Sequence, residues 1–244
     1  KYNWLLFTDV DCRVGKNWCL EISKTFCKGN YIVGFSTVKK SNSLASKFQH
    51  IDFQILMVSA LSAVALKTPL ACIGQNQAYN KNLFIKNRGF SKIKNILQGD
   101  DSIFMHLCRR NKECRVTYSF HKDSFVCAKT HSNWKDLILQ RTRWAGDANI
   151  MWKYNKLLYL ISVSTFYSNL IFIILLITSN FKVLTSLLLI KYTFEYLLYI
   201  LSCKKLNDNI DNMLFQIWFI LQIPYIIIVG LGSFYASNLK WKGR

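Results

Sequence analysis

FTDVDCR, spanning Phe7–Arg13, is the stretch on which the reading of this chain turns. The apolar run Trp4–Phe7 before it is consistent with a buried strand that ends in a polar turn. Asp9 and Asp11 stand two apart at the end of that strand. If strand conformation continues, both side chains fall on the same side. Two close carboxylates suit a hard divalent ion, Mg2+ or Mn2+, which also bridges phosphate oxygens. An Asp-x-Asp pattern by itself is common in surface turns. The apolar strand leading into this one turns the reading toward a site.

Two further segments follow in order: QGDD at Gln98–Asp101 and QRTRW at Gln140–Trp144. Asp100 and Asp101 precede a helical pattern over Asp101–Asn111, where Ile103, Phe104, Leu107 and Cys108 recur at helical spacing. One acid of the pair can cap free helix-end amides. Alternatively, one of them accepts a proton from an attacking hydroxyl. Gln140, Arg143 and Trp144 fall at i, i+3 and i+4 and share a helical face. The forked arginine head group matches pyrophosphate in a way that lysine does not. The indole offers a flat apolar surface to a sugar ring. The same residues also suit a helix anchored among lipid head groups.

The charge is uneven along the 244 residues. Residues 1–156 hold 25 Lys and Arg against 10 Asp and Glu, and the remaining 88 hold 7 against 3. A basic half beside an apolar half points to a domain held near an anionic surface or an anionic substrate. The basic residues are scattered and form no nucleic-acid motif, so no nucleic acid is expected as a partner. Eight cysteines form no CxxC pair and show no zinc spacing, which favours reduced thiols.

Further strands are expected at Tyr31–Phe35, Ala71–Tyr79 and Cys114–Phe120. Leu44–Leu66 reads as a long helix whose uncharged core, Phe53–Leu66, is too short to span a bilayer. Trp134–Tyr154 is the clearest amphipathic helix. Its apolar face of Trp134, Leu137, Ile138, Ala145, Ala148 and Trp152 is expected at the membrane interface. Leu157–Ser179, Val183–Ser202 and Met213–Ala236 are each apolar enough and long enough to span. Lys191 and Glu195, four apart within the second of these, predict a helix side that faces other helices. Pro224 predicts a kink in the third.

The ordered triple resembles the motifs of the membrane-bound family 2 glycosyltransferases, both hyaluronan- and cellulose-synthase-like and ceramide-glucosyltransferase-like. Gly74–Tyr79, with Gly89 and Phe90, is similar to that family's acceptor-side segment, and Trp241–Arg244 resembles a common family ending. The resemblance implies an α/β fold, a partial GT-A nucleotide-diphospho-sugar transferase domain followed by an α-helical transmembrane region. Residues 1–133 would be the C-terminal part of the GT-A domain. Residues 134–156 would form an interface helix carrying QxxRW, and 157–244 a region of about three transmembrane helices. Further strands normally precede the metal motif, so the chain is expected to be the C-terminal portion of a longer protein.

By the same resemblance, Asp9 and Asp11 hold Mg2+ or Mn2+ on the donor diphosphate, and Asp101 is the catalytic base. Gln140, Arg143 and Trp144 close over the diphosphate and the acceptor. Asp100, which stands where many relatives have Glu, is a secondary candidate together with Asn76 and Arg141. The implied activity is metal-dependent, inverting transfer of a sugar from a nucleotide-sugar donor to a lipid or polysaccharide hydroxyl. It would be carried out by an integral membrane protein with its catalytic domain on the cytoplasmic side. The alternative from another class is a non-enzymatic membrane protein whose basic cytosolic module binds anionic lipid or a partner. The enzyme reading expects the three motifs to border one pocket, whereas the alternative expects them to scatter.

Overall fold

The computed structural model describes residues 2–94, 96 and 99–235, so Gln98 and the Trp241–Arg244 ending lie outside the described residues. The described residues form two compact units that interleave along the chain, one within 1–40, 56–130 and 151–158, the other within 41–55, 131–150 and 159–244.

The first unit is built on a mixed sheet in the order β1 (Trp4–Phe7), β5 (Gln77–Asn80), β3 (Tyr31–Gly34), β6 (Val116–Ser119), and it also holds the short helices α1 (Trp18–Ser23) and α3 (Lys81–Lys86). Its central strand, β3, is buried along its whole length, as its unbroken apolar run requires. It pairs antiparallel with β5 and parallel with β6. β1 lies antiparallel on the far side of β5, with Phe7 opposite Gln77. A smaller sheet joins β2 (Arg13–Val14), β7 (Val126–Ala128) and β4 (Ser36–Val38) in the order β2-β7-β4. The strand expected over Ala71–Tyr79 is confined to its last residues and Asn80, because the preceding loop runs against the helix α4 (Asp100–Arg109). Gly34 is obligatory: a Cβ there would lie 2.3 Å from the Asn76 carboxamide. Neither acid stands at the N-cap position of α4, although Asp101 Oδ1 accepts one free first-turn amide, that of Ser102. Gly99, left-handed at φ 73, takes the cap position, and Asp100 is already the first helical residue.

The far end of α4 is tied to the segment before the first apolar run. His106 Nε2 lies 2.7 Å from the Leu70 carbonyl and 3.3 Å from Asn155 Nδ2. Asn155 Oδ1 in turn accepts from the Leu158 amide at the start of the helix α6 (Lys156–Ile177).

The second unit contains the start of α2 (Leu44–Ala65), the helix α5 (Trp134–Ile150), most of α6, and the helices α7 (Phe181–Leu206) and α8 (Asn212–Ser233). α5 ends at Ile150 in a 3-10 turn, Met151–Lys153, and does not run on to Tyr154. Part of its apolar face is covered within the unit. Leu137 is fully buried, and Trp134, Ile138 and Ala145 pack on a cluster that includes Phe48, Ile51, Trp218 and Tyr225. Protein rather than lipid therefore covers this part of the face. α8 supplies a complementary apolar surface and closes on α5 where Gly232 meets Thr142, with room for no Cβ beyond 2.8 Å.

Among the described residues, four helices are long and apolar enough to cross a membrane: α2, α6, α7 and α8. The sequence reading counted three and judged α2 too short. The acid that shortens its uncharged core, Asp52, is ion-paired inside the protein and so does not break the helix's apolar character. The apolar window of α2 is 56% buried in protein, against 11% in α6 and α7. Lys191 and Glu195 face α8 as expected: Lys191 Nζ lies 2.6 Å from Glu195 Oε2 and also donates to Gln222. Elsewhere α7 exposes Leu189, Ile190, Phe194 and Leu201, an apolar surface compatible with lipid. α8 continues helically through Pro224.

Candidate active site

The strand does not continue through the first motif. β1 stops at Phe7, and the Cys12 amide donates to the Asp9 carbonyl at 3.1 Å, closing a tight turn. This turn, not strand alternation, brings the acids together. Ligand atoms of Asp9, Asp11 and Cys12 all lie within 4.8 Å of one another. Both carboxylates are exposed, which leaves their outer sides open to a ligand. Hard oxygens with open positions fit Mg2+ or Mn2+ bound jointly with phosphate oxygens. The Cys12 thiol does not suit such an ion. Burial, with Asp9 and Asp11 beside it, pushes it up to about 11, so it stays protonated and donates to Gln75 Oε1 at 3.2 Å.

That contact joins the acidic turn to the loop that holds Asp101. The Gly74 amide donates to Asp101 Oδ2 at 2.7 Å, and the Ser102 amide donates to Asp101 Oδ1 at 2.6 Å. Ser102 Oγ accepts from the Cys72 amide and donates to the Cys72 carbonyl, locking the loop to the first turn of α4. Burial pushes the Asp101 carboxyl up to about 6. The negative charges of Asp100 and Asp9 add to the rise, and the two backbone amides oppose it. A carboxylate poised there is mostly ionised at neutral pH, yet basic enough to take up a proton. Asp100 is exposed beside it.

Gln75, Gly74 and Ser102 were not singled out individually in the sequence, although Gly74 and Gln75 stand in the segment that carries the resemblance. The residue chosen from that loop, Asn76, plays another part. It is wholly buried, its amide donates to the carbonyls of Phe35 (2.7 Å) and Ser124 (2.9 Å), and its oxygen accepts from Trp18 Nε1 (3.1 Å). Those bonds make Asn76 a core strut rather than a ligand contact.

The third motif lies in the second unit. Gln140, Arg143 and Trp144 are partly buried on α5, and Gln140 Oε1 is enclosed with no hydrogen-bond partner among the described residues. Arg141 is likewise engaged within the protein. It is 4% exposed, its Nη2 lies 2.9 Å from Asp52 Oδ2, and its guanidinium sits 4.2 Å from the centre of the Trp144 ring. A guanidinium so enclosed is not available to a diphosphate. The structure thus gathers Asp9, Asp11 and Asp101 in the first unit and Gln140, Arg143 and Trp144 in the second.

None of the curated proteins matches the chain. Residues 4–231 match the family model described as Glycosyl transferase family group 2, which covers nearly all of the sequence. The acidic turn, the buffered Asp101 and the QxxRW helix all fall inside that match, and the chain belongs to this family of glycosyltransferases.

Proposed function

We propose that the protein is a metal-dependent, inverting glycosyltransferase of the membrane-bound type, hyaluronan- and cellulose-synthase-like or ceramide-glucosyltransferase-like. It moves a hexose from a nucleotide diphosphate to a hydroxyl of a lipid or a growing polysaccharide. The observation that carries this reading is the Asp101 carboxyl, raised to about 6 and held by a loop joined to the Asp9–Cys12 turn. Asp101 accepts the proton of the acceptor hydroxyl as that oxygen attacks the anomeric carbon. The bond from that carbon to the diphosphate breaks on the opposite face, which inverts the configuration. Both Asp101 oxygens keep a lone pair beyond the one engaged by a backbone amide, so the proton has a place to go.

Asp9 and Asp11 would hold the divalent ion, which would supply positive charge to the leaving diphosphate. Arg143 offers a forked donor to the same phosphates, Gln140 offers an amide, and Trp144 offers a flat surface to the acceptor sugar or lipid head group. The apolar helices keep the enzyme in the bilayer with its catalytic residues on the cytoplasmic side.

The test uses the full-length gene product in membranes, supplied with labelled nucleotide sugars and either Mg2+, Mn2+ or a chelator. The expected product has the opposite anomeric configuration to the donor and disappears on chelation. Retained configuration would refute the single-displacement mechanism, and turnover in chelator would refute metal dependence. Extraction of the label into organic solvent or into polymer separates the two acceptor classes.

A further inference from the structure

The pair Asp52–Arg141 is buried in a part of the protein that has no evident need for charge. Asp52 is the only acid in α2, and the side chains of the pair are 11% and 5% exposed. Replacing such a pair by apolar residues is often neutral or stabilising, so stability alone explains it poorly. Its geometry has another feature. The Arg141 guanidinium lies over two rings, 4.2 Å from the centre of Trp144 and 5.6 Å from that of Phe53, and Trp144 and Phe53 are 6.3 Å apart. The Tyr225 hydroxyl of α8 also interacts with the Arg141 guanidinium and lies near Asp52. The guanidinium is therefore oriented by one carboxylate, one hydroxyl and stacking on the rings. Arg141 and Trp144 stand three apart on α5, so the cation covers the indole from its own helix.

We propose that Asp52 and Arg141 are positioning residues that set the indole of Trp144 for the acceptor. Asp52 anchors the guanidinium, the guanidinium and Phe53 hold one side of the ring system, and the partly exposed remainder of Trp144 meets the acceptor's flat apolar surface. The assignment of Trp144 to the acceptor rests on the function proposed above, while the positioning of the ring does not.

Arg141→Lys separates this role from simple bracing, because lysine keeps a charge opposite Asp52 but has no plane to stack on the indole. In the full-length protein, this variant is expected to keep the parent melting temperature and donor KM. Its acceptor KM should rise about tenfold, the scale of a lost desolvated cation–π contact. Its near-UV circular dichroism should differ from that of the parent, and the difference should vanish when both proteins carry Trp144→Phe. Should Arg141→Lys not fold, Asp52→Glu, which displaces the anchor by one methylene, is read in the same two ways. An unchanged acceptor KM together with an unchanged near-UV spectrum would overturn the proposal and leave the pair as a brace. If the parent shows no glycosyl transfer, the function fails, yet the spectral comparison still decides whether the pair sets the ring.

Discussion

The two units hold their motif residues by opposite means. In the first, Asp9, Asp11 and Asp101 sit on a turn and at a helix start, and the contacts that fix Asp101 come from the backbone amides of Gly74 and Ser102. In the second, the QxxRW residues ride on a continuous helix. The contacts around Trp144 come from side chains, Arg141 on its own helix and Phe53 from a distant segment, with Asp52 behind them. Backbone amides are present whatever the neighbouring side chains are. A buried ion pair depends on both partners. Removing the Asp101 carboxylate should therefore damage chemistry more than folding, whereas removing one partner of the Asp52–Arg141 pair should damage folding.

The largest effect tests the first half of that contrast. Asp101→Asn keeps the size and the capacity to accept the Gly74 amide but removes the base. It should lower kcat by about two to four orders of magnitude with little change in donor KM; its NH2 replaces one of the two oxygens that accept backbone amides, so the melting temperature should fall modestly. Near-parent turnover would move the base to Asp100 or dismiss it. In the parent, kcat should rise with pH along a limb centred near 6, where Asp101 ionises. Stability should move the other way. The folded-state value lies above the ordinary 3.8, so Asp101 favours the fold while protonated. That contribution is complete below 3.8 and is lost as pH rises through about 6.

Asp52→Ala tests the second half. It leaves Arg141 buried and uncompensated, and the expected cost is about 3–5 kcal/mol, measured by denaturant or thermal unfolding in detergent. A loss below about 1 kcal/mol would mean that water or another group already compensates the arginine.

A smaller effect sharpens the comparison by striking the first unit through packing rather than chemistry. Gly34→Ala drives a methyl into the Asn76 carboxamide, and a clash of that kind costs about 1–3 kcal/mol. The loop holding Asp101, residues 72–75, runs directly into Asn76, so kcat should fall together with stability. A stable variant with reduced kcat would show that the strut positions the loop independently of folding. The smallest effect is the control. Lys86 and Glu113 pair at 2.5 Å with both side chains well exposed, so Lys86→Ala should leave the melting temperature and turnover close to those of the parent.

Much of this molecule was legible in its residues. The helices over 156–177, 181–206 and 212–233 follow from runs of apolar residues, because no other arrangement satisfies the backbone of such a segment in lipid. β3 and β1 follow from short apolar runs that end in turn chemistry. The order of Asp9-x-Asp11, Asp100-Asp101 and Gln140-x-x-Arg143-Trp144 pointed to the family that the match over residues 4–231 then showed. These are local signals, set by the composition and spacing of neighbours in the chain.

What tertiary structure decided is which candidates face a ligand and which face the core. Asn76 and Arg141 have polar side chains of the right type in the right segments, yet one is spent on Phe35, Ser124 and Trp18, and the other on Asp52. Their partners lie 41, 48, 58 and 89 positions away in sequence, a separation at which spacing carries no information about contact. The same holds for the apolar face of α5. Its periodicity shows that the face must be covered, but only the position of Trp218 and Tyr225 shows that protein, and not lipid, covers part of it. A hydrophobic pattern states a need for burial and is indifferent to what satisfies it, and so the sequence determined the helices while the packing chose their partners.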